Sequence, residues 1–116
     1  ASAERYQKLF AGAETAVRLP HQPEWSRSVY HLYVVRVADR AQLQKRLDEV
    51  GVSTGIHYPV ALHLTKAYEG LGFQVGDFPV AEKSAAQVLS LPMYPELTVP
   101  QQERVVAEVL KCCAVT

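Results

Sequence analysis

Two histidines and a tyrosine lie close together in GIHYP (residues 55–59) and the following ALH (residues 61–63). Imidazole and phenol groups can move protons, bind metals or donate hydrogen bonds to a ligand. His57 and His63 are six residues apart across a proline, unlike paired metal ligands on a helix, and no carboxylate accompanies them. Two interpretations stay open: Tyr58 and the histidines satisfy nearby backbone groups at a strand end, or they face a ligand.

A third histidine, His31, lies in the apolar stretch SVYHLYVVRV (residues 28–37). It is either a hydrogen-bonded core residue or another ligand contact. The chain has no glycine-rich phosphate loop and no Gly-x-Ser-x-Gly elbow. The two cysteines, Cys112 and Cys113, are adjacent and far from any histidine, so we expect them to pack on a helix rather than form a disulfide or a zinc site. We therefore predict no catalytic residue and no metal ligand, and the missing disulfide framework favours the cytoplasm.

The bulk composition predicts one soluble domain over residues 1–116, with 48% hydrophobic and 21% charged residues. Twelve basic and twelve acidic side chains give no net charge, which argues against nucleic acid as a partner. No apolar run approaches the roughly 20 residues that span a bilayer, and the first ten residues lack a secretory core. The chain begins with Ala1 rather than Met, so we expect a piece processed or excised from something longer.

Hydrophobic periodicity predicts the elements that position these residues. We expect a helix over residues 2–17, a strand over 28–37 that is apolar on both faces, and a second strand over 52–58 ended by Pro59. Asp39 with Gln42, and Thr98 with Gln101, have the spacing of capping boxes at the starts of two helices. Further elements are a short helix over 61–72, a helix capped by Asp77 and a strand over 88–95.

This order predicts an α+β fold, a two-layer sandwich with a small antiparallel or mixed sheet of about three strands. The doubly apolar strand and the apolar stripe of the first helix suggest that a neighbouring partner is missing. We therefore expect an exposed apolar surface or self-association.

Four blocks, HLY, GIHYP with its following LH, GDFPVAE and SLPMYPELT, occur in this order. Together they strongly resemble the C-terminal part of the DegT/DnrJ/EryC1/StrS family, over about residues 6–109. These are pyridoxal-phosphate-dependent aminotransferases that act on keto-sugars, usually nucleotide-linked. The resemblance implies the small C-terminal domain of the aspartate-aminotransferase (type I) fold.

In that family an N-terminal domain holds the cofactor on a Schiff-base lysine, and the enzyme is a homodimer. None of the five lysines here matches that motif, so the resemblance implies that this chain binds no cofactor alone and is inactive in isolation. It also implies substrate contacts, foremost from His57 and Tyr58, with His63 and His31 as weaker candidates. The amino donor would be an amino acid, commonly glutamate. The alternative is a stand-alone α+β binding, regulatory or dimerisation module without catalysis.

Overall fold

The computed structural model describes residues 1–113, where α-helices alternate with two short strands. The elements, in chain order, are α1 (Ser2–Leu9), β1 (Tyr33–Arg36), α2 (Arg40–Glu49), 3₁₀ helices at Leu62–Leu64 and Lys66–Leu71, α3 (Pro79–Gln87), β2 (Val88–Leu91) and α4 (Val99–Cys113). The prediction of a small α+β domain is confirmed.

Local side-chain chemistry starts two of the helices. The backbone N–H of Gln42 donates to Oδ1 of Asp39 at 2.9 Å, which caps α2. Before α4, the N–H of Thr98 donates to Oε1 of Gln101 at 2.8 Å, and the N–H of Gln101 donates to Oγ1 of Thr98 at 3.4 Å. This reciprocal exchange is a capping box, so both predicted helix starts are confirmed.

The sheet pairs β1 with β2 in antiparallel register, from Tyr33 opposite Leu91 to Arg36 opposite Val88. Isolated bridges extend it at both edges: Arg18 pairs with Arg36, and Gly55 pairs with Ser90. The segment that carries His57 therefore runs along the free edge of β2.

The strands are shorter than predicted, and the third is absent from the described residues. Residues 28–32 lie outside β1 because Tyr30 has a φ of 49° and because Pro92, beyond the end of β2, has no N–H to pair. The predicted strand over residues 52–58 was wrong: Gly55 alone bridges to β2, and the chain then turns so that His57 folds back beside Gly55.

The predicted helices also differ in three places. The first ends at Leu9 rather than residue 17, with a turn through Gly12 at a φ of +88°. Residues 61–72 form 3₁₀ helices instead of one short α-helix. Asp77 does not cap α3, since its carboxylate accepts from the N–H of Gln74 at 2.7 Å, and Phe78 is the N-cap residue instead.

One core joins the sheet to α1, α2 and α4. Tyr6 of α1 and Tyr33 of β1 are fully buried, with ring centroids 4.7 Å apart. Around them pack the buried side chains of Phe10, Val17, Val35, Leu43, Leu47, Leu89, Val105, Val106 and Val109. This core covers the apolar stripe of α1 and the inner face of β1, which we had expected to be exposed.

The two cysteines at the end of α4 pack on a helix, as the sequence predicted. Cys112 and Cys113 are half-buried free thiols packed against the core, and burial raises the pKa of Cys113 to about 11. Across residues 1–113, no helix combines the length and apolar character that crossing a membrane requires.

Candidate functional site

His57 lies at the sheet edge, where a buried serine holds one side of its ring. The N–H of Gly55 donates to the carbonyl of Ser90 at 3.1 Å, and the N–H of Ser90 donates to the carbonyl of Gly55 at 2.7 Å. Two residues later, Nδ1 of His57 lies 2.8 Å from Oγ of Ser90. Ser90 is only 5% exposed whereas His57 is exposed. The imidazole is therefore hydrogen-bonded on the side that faces the sheet and accessible to solvent on the other side.

Tyr58 follows directly and projects into solvent, with 76% of the residue exposed. The peptide bond between His57 and Tyr58 is cis. The two rings meet edge-on, with centroids 5.9 Å apart. An imidazole and a phenol thus stand side by side on the surface, where both can donate hydrogen bonds to ligand oxygen atoms.

His63 has a different environment, since it is only 8% exposed. Its Nε2 lies 2.8 Å from Oε1 of Glu82, and the rings of Phe73 and Phe78 pack edge-on against it. The Glu82 carboxylate also accepts from the N–H of Gly76 at 2.9 Å. Desolvation alone would raise the pKa of Glu82, but the hydrogen bonds from His63 and the backbone outweigh it and lower that pKa.

His31 lies apart from these residues, exposed and two positions before β1. It lines an open groove of about 800 Å³ together with His21, Arg27, Tyr30 and Tyr94. Polar and apolar side chains both line this groove, but His57, Tyr58 and His63 do not.

The structure therefore brings only His57 and Tyr58 together among the four predicted site residues. Three residues that the sequence did not predict hold the two histidines of this segment: Gly55 and Ser90 contact His57, and Glu82 contacts His63. Ser90 lies inside the SLPMYPELT block, so the sequence pattern included this residue, but it did not indicate that Ser90 contacts His57. Within residues 1–113, no three His, Cys, Asp or Glu side chains converge as metal ligands would.

An exposed apolar segment runs through residues 58–80. Its large hydrophobic side chains are widely accessible: Leu62 is 65%, Leu71 63%, Val75 79% and Val80 75% exposed. A contiguous apolar patch on a soluble monomer usually meets a partner. Exposed large apolar side chains are thus present, although in residues 58–80 rather than on α1 and β1.

The model of the DegT/DnrJ/EryC1/StrS aminotransferase family matches residues 1–110. The chain belongs to this family.

Individual members of the family that resemble the chain are much longer. The erythromycin biosynthesis sensory transduction protein EryC1 of Saccharopolyspora erythraea is 45% identical over 91 residues, 78% of this chain and 25% of that protein. The dTDP-3-amino-3,4,6-trideoxy-alpha-D-glucose transaminase of Streptomyces venezuelae is 42% identical over 106 residues, 91% of this chain and 28% of that protein. The chain thus spans about a quarter of the length of these relatives.

Solved structures of the family superpose closely on the fold. DesV of S. venezuelae, in complex with a ketimine intermediate, has a TM-score of 0.92 and 38% identity, covering 99% of this chain and 31% of that one. NtdA of Bacillus subtilis with bound cofactor PMP has a TM-score of 0.82 and 31% identity, covering 98% of this chain and 27% of that one.

The aminotransferases of this family depend on pyridoxal phosphate, which a lysine would hold. A lysine that binds this cofactor as an imine works best where burial or a neighbouring cation favours its neutral amine. All five lysines (Lys8, Lys45, Lys66, Lys83 and Lys111) are exposed. No lysine among residues 1–113 is buried in this way.

Proposed function

We propose that the chain is the C-terminal, small domain of a pyridoxal-phosphate-dependent aminotransferase. The complete enzyme transfers an amino group from an amino-acid donor, glutamate in our proposal, to a nucleotide-linked keto-sugar. The observation that carries this proposal is the DesV match, which covers nearly all of this chain but less than a third of that one. We assign the complete enzyme to the type I fold and the cytoplasm, where the free thiols of Cys112 and Cys113 suit a reducing compartment.

The chemistry would then belong to an N-terminal domain of the same polypeptide, which supplies the lysine and the phosphate-binding groups. Two observations support this division. The five lysines here are exposed, and the exposed apolar segment (residues 58–80) offers a surface for such a domain or for the second subunit of a homodimer. The isolated chain is accordingly expected to be inactive.

Within this domain we propose His57 and Tyr58 as substrate contacts. Both are exposed and adjacent, and imidazole and phenol donors match the oxygen atoms of a diphosphate and a sugar. His63 and His31 stay secondary candidates. The first is buried with Nε2 engaged by Glu82, and the second lines the separate groove.

A second candidate function is regulatory binding without catalysis. The relative EryC1 bears the name of a sensory transduction protein, and this name is what raises the alternative. It would keep the fold and the exposed polar pair but would not need a cofactor. The two functions differ in whether the complete gene product binds pyridoxal phosphate and turns over a keto-sugar.

The test uses the product of the complete reading frame. We expect visible absorbance from bound cofactor and glutamate-dependent amination of a nucleotide-linked keto-sugar, which the 116-residue chain alone does not catalyse. Tyr58→Phe should raise KM for the sugar roughly 3- to 10-fold, the value of one hydrogen bond.

Tyr68→Phe is the matched control, because Tyr68 lies in the same segment and is 39% exposed. Its KM should stay unchanged. A product without cofactor absorbance or amination would reject the aminotransferase and favour the regulatory alternative.

A further inference from the structure

Ser90 contacts His57, and each polar group of Ser90 has an identified hydrogen-bond partner. Its backbone N–H and carbonyl are both paired with Gly55, and the residue is 5% exposed. Within residues 1–113, its hydroxyl has one side-chain partner, Nδ1 of His57 at 2.8 Å. Nδ1 of His57 is therefore the acceptor available to the Ser90 hydroxyl among these residues.

This geometry selects one arrangement of protons. If Nδ1 carried a hydrogen and donated it to Oγ, the Ser90 hydroxyl hydrogen would be buried without an acceptor, which is unfavourable. If Ser90 donates to Nδ1, both groups are satisfied, and the neutral ring carries its hydrogen on Nε2. That nitrogen lies on the ring side away from Ser90, and it has no hydrogen-bond partner among the described residues.

Gly55 completes the support from the other side. A Cβ built on Gly55 would lie 2.8 Å from Cε1 of His57, closer than real Cβ atoms approach, and 3.4 Å from Nδ1, which is ordinary contact. The backbone of Gly55 is not in the left-handed region, so the missing side chain makes room for the ring rather than for a turn. Gly55 and Ser90 together form a fitted seat for the imidazole.

We propose that Ser90 and Gly55 are positioning residues for His57. They fix the ring with Nδ1 as acceptor and turn Nε2–H outward as a donor to an anionic oxygen, such as a phosphate of the sugar nucleotide. The identity of that anion rests on the proposed function. The seat itself is a property of this chain.

The seat is tested first by NMR on the 116-residue chain labelled with ¹⁵N-histidine. Neutral His57 should show the hydrogen on Nε2, with a strong contact between its Hε1 and the Hα protons of Gly55. Ser90→Ala should abolish this contact and average the ring over several rotamers, whereas the half-buried control Ser84→Ala should preserve it. An unchanged contact in the Ser90→Ala protein would overturn the proposal.

The consequence for binding is tested in the complete gene product. Ser90→Ala should raise KM for the nucleotide sugar roughly 3- to 10-fold with kcat changed less than about twofold, because an interaction remote from the reacting carbon stabilises ground and transition states alike. Gly55→Ala should have the same effect by displacing the ring.

A double-variant cycle distinguishes positioning from general damage to the fold. If Ser90 acts through His57, then Ser90→Ala added to His57→Ala should raise KM no further. Additive effects would contradict the proposal. If the wild-type product binds no nucleotide sugar, the proposed function fails, while the NMR result still decides whether the seat exists.

Discussion

The imidazole of His63 and the carboxylate of Glu82 lie 2.8 Å apart and join the exposed apolar segment (residues 58–80) to α3. His63 follows the polar pair His57 and Tyr58 by only a few residues, and Glu82 also holds the N–H of Gly76. The bond thus joins residues 19 positions apart, and the stretch between them contains the 3₁₀ helix Lys66–Leu71. The stability of this stretch should depend strongly on this pair.

Replacing His63 with alanine should lower the free energy of unfolding by about 2 kcal/mol, since it removes a buried ring and leaves Glu82 without its side-chain donor. Urea unfolding followed by circular dichroism measures the change. His31→Ala is the control, because that exposed histidine has no comparable contacts and should change stability by less than about 0.5 kcal/mol. Equal losses in the two variants would refute the role given to His63.

Acid should weaken the same connection. The pKa of Glu82 is lower in the folded chain than its ordinary value, so its contribution to stability is complete above the unfolded pKa and disappears as the pH falls through the folded pKa. Wild-type protein should therefore lose more stability on acidification than Glu82→Gln. The pKa values of Glu14 and Glu108 are also lowered, but both proteins contain them, so the difference isolates Glu82. Parallel stability curves down to the acid limit would contradict this expectation.

The two buried tyrosines should respond in opposite ways to loss of the hydroxyl. Tyr6 donates to the carbonyl of Pro92 at 2.7 Å, so Tyr6→Phe should cost about 1 kcal/mol of stability. The Tyr33 hydroxyl is buried without a partner among the described residues, so Tyr33→Phe should be neutral or stabilising. Desolvation by burial raises the pKa of both phenols. Thermal unfolding of the two variants provides a matched comparison, and a larger loss in Tyr33→Phe would reveal a partner for that hydroxyl.

The exposed apolar segment should make the isolated chain associate with itself at high concentration. Val75→Lys and Leu71→Lys should reduce this association, because each places a charge in the apolar surface. Val29→Lys is the control, since Val29 is 93% exposed but lies outside the segment. Sedimentation velocity over a range of concentrations measures the effect. If all three variants associate like wild type, the segment is not the adhesive surface.

Sequence reasoning succeeded where the determining contacts are local. The caps at Asp39 and Thr98 depend on residues three positions away, and both were predicted correctly. It failed for the length of β1, which depends on the distant strand β2. It also failed at Asp77, where a local alternative won, because the carboxylate closes a turn with Gln74, three positions earlier, instead of capping α3.

The candidate site divides in the same way. The exposed pair His57 and Tyr58 could be chosen from the block pattern, because both residues lie within one motif. The residues that hold His57 could not be predicted in this way. Ser90 lies 33 residues away from His57 in sequence, and the pairing of Gly55 with β2 brings the two together. The location of the apolar surface was also hidden, because periodicity does not reveal which apolar residues the core already covers.

Gln102, fully buried in α4, donates to the carbonyl of Ser2 in α1, 100 residues earlier in the chain. Arg5 of α1 donates to the same glutamine in return. A contact between residues this far apart in sequence forms late, because the entropy cost of closing a long loop comes before the contact can stabilise the chain. During synthesis α1 would therefore leave the ribosome well before α4, and the side of α1 that contacts α4 would stay uncovered until α4 arrives. The packing of α1 at the start of the domain is therefore complete only after α4 at its end has been synthesised.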